Sequence, residues 1–116
     1  MAGWQYFNAP RDDIQADTML LLTDGSALVH DGNSRTSTGW GGPDWYRLTP
    51  DEAGRYHSGR WSRRLPMAIG RLDFASGVLA DGRVYVVGGE FTSGSSAHNK
   101  NARGEILTRA RTSGTR

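Results

Sequence analysis

The sequence contains no cysteine, which removes disulfide frameworks, thiolate zinc sites and cysteine nucleophiles together. Long apolar runs are missing too. The longest, Met19 to Leu22, is far short of the ~20 residues a membrane-spanning helix needs. The opening residues, Met-Ala-Gly-Trp-Gln, have neither the basic flank nor the apolar stretch of a secretory signal. No membrane partner is expected, and the cytoplasm is the default compartment. Apolar residues are also scarce, at 36% of 116 positions, so one domain with a modest core is the upper bound; a chain of this size buries about two thirds of its unfolded surface. The net charge of +2 hides an asymmetry: residues 1–54 carry 3 Arg against 8 acids, and residues 55–116 carry 11 Lys and Arg against 4 acids. The two halves are expected to attract one another.

Glycine, by contrast, is abundant at 16 of 116 positions, about twice average usage, and argues for many turns over long helices. The sequence also repeats. Trp4 recurs as Trp61, Leu22 as Leu79, Asp24-Gly25 as Asp81-Gly82, Val29 as Val86 and Gly32 as Gly89, all 57 positions apart (81 − 24). Around each Asp-Gly pair the pattern is apolar run, turn, apolar run, which predicts two β-hairpins. Val84, Tyr85, Val86 and Val87 show no alternation, which predicts a strand covered on both faces. Polar, Gly-rich loops follow, Gly32 to Asp44 and Gly88 to Gly104. Two more strands are expected in the first unit, near Trp45 to Leu48 and Arg60 to Leu65. A unit of this length holding four antiparallel strands is the pattern of a β-propeller blade.

The segment Met67-Ala-Ile-Gly-Arg71 through Phe74 to Gly88-Gly89 resembles a kelch repeat, of the type found in bacterial kelch proteins and in the central domain of galactose-oxidase-like proteins. The resemblance rests on Arg71, the Asp81-Gly82 turn, Gly88-Gly89 and the strand-opening Trp61, and covers about residues 4–106. It implies an all-β fold, a fragment of a kelch-type propeller with four-stranded antiparallel blades. Residues 1–17 would hold the last strand of a preceding blade (Trp4 to Pro10) plus a linker, 18–66 a complete blade, and 67–106 a partial next blade. One departure is Asp31-Gly32, where the family has Gly-Gly. Residues 107–116 have no acid and no apolar alternation. Restoring one lost G after the Leu107 codon would read Leu-Asp-Pro-Gly-Ala-Asp, so this tail is read as frame-shifted.

The resemblance also raises copper-radical oxidase chemistry, which uses a Tyr cross-linked to Cys with further Tyr and His ligands. Without Cys the cross-link cannot form, and Tyr6, Tyr46, Tyr56, Tyr85, His30, His57 and His98 fall at no ligand-like spacing. His30 and Tyr85 are expected to pack in or beside core strands. Gly88 to Gly94 lacks the Lys and the following helix of a phosphate loop. Arg55, Arg60, Arg63, Arg64 and Arg71, interleaved with Tyr56, His57 and Trp61, could contact single-stranded nucleic acid. The structural alternative, a solvated outer strand with Arg63 and Arg64 in water and Trp61 packed between blades, is preferred. Asp12, Asp13 and Asp17 lack the Gly and closing Glu of a calcium loop.

These readings predict no catalytic residue, no metal and no cofactor. Trp4, Asp24, Gly25, Trp61, Arg71, Asp81, Gly82, Gly88 and Gly89 are structural, whereas Trp40, Arg55, Tyr56 and Arg60 are candidate contact residues. The expected role is a protein or glycan interaction scaffold working through its long loops, with self-association through uncovered blade faces. The alternative is a fragment of a galactose-oxidase-like or carbohydrate-active enzyme whose catalytic residues are not in this chain.

Overall fold

In the computed structural model, which describes residues 3–94 and 100–108, the chain is all-β, with no α-helix among the described residues. The two Asp-Gly pairs set its geometry. Gly25 and Gly82 take φ of +89° and +91°, a region that L side chains avoid. The amides of Gly25 and Gly82 donate to the carbonyls of Leu22 and Leu79 at 3.0 and 2.9 Å, and the amides of Leu22 and Leu79 donate to the carbonyls of Ser26 and Arg83, both at 2.8 Å. Each aspartate then accepts from the amide two residues on, Asp24 from Ser26 at 2.9 Å and Asp81 from Arg83 at 3.1 Å, a local bond that fixes the turn.

Strands β1 (Ala16–Leu21), β2 (Ala27–Asp31), β3 (Asp44–Thr49) and β4 (Arg60–Arg63) form one antiparallel sheet in that order, and β5 (Ala75–Val78), β6 (Val84–Val87) and β7 (Gly104–Leu107) form a second. The repeat extends to register. Leu21 opposite Ala27 and Met19 opposite Val29 recur as Val78 opposite Val84 and Ser76 opposite Val86, at the sequence offset of 57 (84 − 27). Ala27 opposite Leu48 recurs as Val84 opposite Leu107, an offset of 59 (107 − 48), so the second unit has two extra residues in the loop before its third strand.

The two sheets stack like face on unlike face. Leu20, Leu28, His30 and Trp45 share one face of the first sheet, because Leu20 and Leu28 are paired, as are His30 and Trp45. That face packs on Val84, Val86, Val78 and Leu107, with Phe74 5.0 Å from His30 and 5.9 Å from Trp45 between ring centroids. Under the repeat, Val84 and Val86 correspond to Ala27 and Val29, which point to the opposite face of the first sheet. Each sheet therefore offers one face to its successor and the other to its predecessor. Of the ion pairs, Arg55–Asp51 and Arg63–Asp44 join the acidic and basic halves, and both lie within the first unit. Apolar packing, not charge, joins the sheets.

Several expectations need correcting. Val84 and Val86 are buried but Val87 is exposed, so β6 is covered on one face, and among the described residues no further sheet lies beyond it. Tyr85 faces that open side, over Gly77, and does not pack in the core. The strand expected over Trp4 to Pro10 does not form. Trp4 and Tyr6 are exposed, and no backbone hydrogen bond ties the segment to a strand among the described residues. The segment instead passes over the outer face of the first sheet, where the Trp61 indole donates to the Asn8 carbonyl at 2.7 Å. Residues 109–116, and with them most of the expected frame-shifted tail, lie outside the described residues, as does His98.

Replacing Gly25 or Gly82 by Ala should destabilise the protein by about 1–2 kcal/mol in each case, read from urea melts. The loss is expected to be the larger at Gly82, where the added Cβ would sit 3.1 Å from Thr23 Oγ1, whereas nothing lies within 4 Å at Gly25, and unchanged midpoints would show that the positive φ is not required.

Candidate functional site

Strand polarity gathers the two Gly-rich loops at one end of the molecule: 32–43 follows β2, and 88–94 with 100–103 lie between β6 and β7. They interlock. Thr38 Oγ1 donates to the Gly94 carbonyl at 2.8 Å, and the Ser93 amide ties the second loop to the Gly70 carbonyl, in the β4–β5 connection, at 2.8 Å. A Cβ at Gly41 would collide with the Phe91 carbonyl oxygen, so only glycine permits this approach. Trp40 meets Phe91 edge to face at 5.0 Å and 85°, a favoured aromatic geometry, while staying about half exposed. The result is a rim bearing a supported indole.

Buried charge holds this end together. Arg71 is 0% exposed. Its guanidinium donates to the carbonyls of Ile69, Gly88 and Arg103 at 3.3, 3.0 and 2.8 Å and to Glu105 Oε2 at 2.7 Å. Glu105 also accepts from the amides of Ala68 and Ile69 at 2.7 and 3.1 Å. The planar fork of arginine suits this many fixed acceptors. Gly88 and Gly89, at φ +77° and +108°, turn the chain around this side chain; the Gly89 carbonyl accepts from the Asn101 amide at 3.0 Å.

The first unit solves the same problem with different residues. Asp31, 0% exposed, accepts from the amides of Gln15 and Asn33 at 3.0 and 2.9 Å. Its other oxygen lies 2.9 Å from Arg35, off the line of a hydrogen bond, and Arg35 also reaches Asp13 at 3.0 Å. Asp31-Gly32 thus carries a network of its own where the second unit has Gly88-Gly89. His30, buried beside it, donates from Nε2 to the Gly42 carbonyl at 2.8 Å, with Asp17 3.3 Å from Nδ1. Burial on this scale in strand β2 was signalled only by its apolar neighbours.

The candidate contact residues of the basic stretch do not converge on this rim. The Arg55 guanidinium donates to Asp51 at 2.9 Å, the Tyr56 hydroxyl donates to the Gly25 carbonyl, and Arg60 stands exposed at the start of β4. These residues lie in and beside the β3–β4 connection. The Ser58 hydroxyl, with the Arg55 amide and guanidinium and the Ala53 amide, holds the Asp51 carboxyl far below the usual carboxylate range. Partial burial opposes ionisation of Asp24, but the Ser26 hydroxyl and amide and the Arg47 guanidinium outweigh it and keep that carboxyl low as well. Arg63 pairs with Asp44 at 3.1 Å.

Arg64 corrects another expectation: only 7% exposed, it does not face water. Its Nε and the Ser62 hydroxyl are buried without a hydrogen-bond partner. Burial, together with the like charge of Arg47, pulls the Arg64 guanidinium below its ordinary pKa. Arg47 itself is satisfied by Asp24 and by Ser26 Oγ at 2.9 Å. Sequence reasoning missed Arg64 because nothing beside Arg63 distinguishes the two; their opposite faces follow only from the register.

The described tyrosines and histidines scatter. Tyr46 is on the outer face of the first sheet, His30 on its inner face, Tyr85 on the open face of the second, and His57 in an exposed connection. Among the described residues no cluster of three metal-ligating side chains is formed.

Glu105→Gln should leave Arg71 buried without its counter-charge and cost about 3–5 kcal/mol in urea melts, and a cost below 1 kcal/mol would contradict the role given to the pair. Since the Asp24 and Asp51 pKa values are depressed on folding, the stability these groups contribute is present above about pH 4 and lost as pH falls through their folded-state values. Melting temperature should therefore drop below pH 4, and Asp51→Asn should flatten that drop; an unchanged acid limb would contradict it. A scan against protein-family models, a search of curated proteins and a search of solved structures each find no match for this chain.

Proposed function

We propose that the chain is part of a kelch-type β-propeller acting as a non-catalytic interaction scaffold, with the interlocked loops as its contact surface for a protein or glycan. The observation that carries this reading is the half-exposed Trp40, braced by Phe91 and by loops that the Thr38 and Ser93 hydrogen bonds hold in place. A supported aromatic offers large contact area with little ordering cost, and such residues dominate binding energy where they occur at interfaces. The propeller part of the reading is supported by the repeated register and by the stacking of unlike faces, which is how successive blades bury their cores. Arg71, in the kelch-like segment, bonds the Gly88 turn and β7 at once, consistent with a blade-organising side chain.

Glycan-array binding and protein capture on immobilised chain test the scaffold, each followed by titration of the tryptophan fluorescence. The expected result is a partner whose affinity falls about thirtyfold in Trp40→Ala, roughly 2 kcal/mol, with an unchanged circular dichroism spectrum. Binding that is indifferent to Trp40 would contradict the rim as the contact surface.

A further inference from the structure

Among the described residues the second sheet lacks a counterpart of β4, and the chain carries a segment of the matching kind. In the first sheet β4 closes the outer edge of β3, with Trp61 opposite Leu48, Ser62 opposite Arg47 and Arg63 opposite Tyr46. Strand β7, the counterpart of β3, has no partner on that edge among the described residues. Beside the edge, between the sheets, lies a cleft of about 220 Å³ lined by Leu28, Trp45, Leu65, Val84, Val86 and Leu107. The repeat pairs Trp61 with Trp4. Trp4, Tyr6 and Phe7 are exposed and unpaired.

We propose that residues 3–7 of one copy supply the fourth strand of the second sheet of another copy. Carrying the β3–β4 register over at the offsets found above sets Trp4 opposite Leu107, Gln5 opposite Ile106 and Tyr6 opposite Glu105. Trp61 lies on the predecessor-facing side of the first sheet, paired with Leu48, and the equivalent side of the second sheet faces the cleft. Trp4 and Tyr6 would therefore point into the cleft while Gln5 and Phe7 point away.

The donor is assigned to a second copy because the chain's own segment is held at Asn8 on the outer face of the first sheet, the face away from the cleft, and would have to leave that face and round the β4 edge to enter it. That same outer face is where a preceding sheet would stack, so the exchange also sets the open face of one copy's second sheet, with Val87 and Ile106 exposed, against the outer face of the next copy's first sheet. This is the unlike-face contact already present inside the chain, repeated between chains. Head-to-tail contacts whose rotation closes form rings, and those whose rotation does not close form open filaments; with the blade-to-blade rotation of a propeller, two sheets per copy would give roughly 4–8 blades from two to four copies. The proposal rests on the propeller part of the reading above and not on what the rim binds.

The test uses the full chain, which has no native thiol to interfere. Gln5→Cys and Ile106→Cys variants, mixed under mild oxidation, should form a disulfide between the two chains, and the double variant should give closed species of two to four copies on non-reducing gels. Tyr6→Cys with Ile106→Cys, one residue out of register, should cross-link at least tenfold more slowly. Sedimentation should show the same oligomer for the unmodified chain and for Trp40→Ala, and monomer for Trp4→Ser with Tyr6→Ser at unchanged circular dichroism. A monomeric unmodified chain, an intrachain disulfide in the double variant, or an oligomer indifferent to the Trp4 and Tyr6 changes would each overturn the proposal.

Discussion

The seam between the two sheets is the constraint on which the rest depends. Neither sheet alone can hide its apolar residues: Leu28 and Trp45 on one side and Val84 and Val86 on the other are buried because they cover one another. A four-stranded and a three-stranded sheet of this size offer few such residues, so dispersion and desolvation along one interface carry much of the favourable free energy. Phe74 is the hinge of this seam, since it touches both His30 and Trp45 while standing just before β5. The stacking joins unlike faces, so it leaves two complementary surfaces uncovered by a second sheet. Met19 and Leu21 are exposed on one, and Val87 and Ile106 on the other.

Beyond the seam, order at the loop end comes from buried ion pairs, and the two units reach it differently. In the second, Arg71 is the hub and Glu105 its counter-charge; in the first, Asp31 is the hub and Arg35 its partner. The sign of the buried charge is reversed while the task is the same: satisfying backbone amides or carbonyls where the chain leaves a central strand. Buried pairs of this kind add little net stability over apolar packing, but losing one partner leaves an uncompensated buried charge. Here the arrangement they specify is the mutual position of two loops, and with it the exposure of Trp40.

Much of the fold was legible in the sequence because it rests on short-range signals. Asp24-Gly25 and Asp81-Gly82 announce hairpins whose turns match bond for bond, and the strands expected near Trp45 to Leu48 and Arg60 to Leu65 correspond to β3 and β4. What escaped reading depends on partners distant in sequence. Trp4 carries the same signal as Trp61, but a strand exists only where a neighbouring edge can receive its hydrogen bonds. Arg63 and Arg64 are identical as residues, and only the register with Tyr46 and Trp45 sends one to water and the other inside. The rim was legible as two long loops, whereas the Trp40–Phe91 contact, between residues far apart in the chain, was not.

The central claim is the choice of face, and nuclear Overhauser spectroscopy on the folded chain tests it most directly. The account predicts cross-peaks from the Phe74 ring protons to the rings of both His30 and Trp45, and none to Met19 or Leu21. Cross-peaks from Phe74 or Val86 to Met19 and Leu21, with none to Trp45, would place the second sheet on the other face and contradict it.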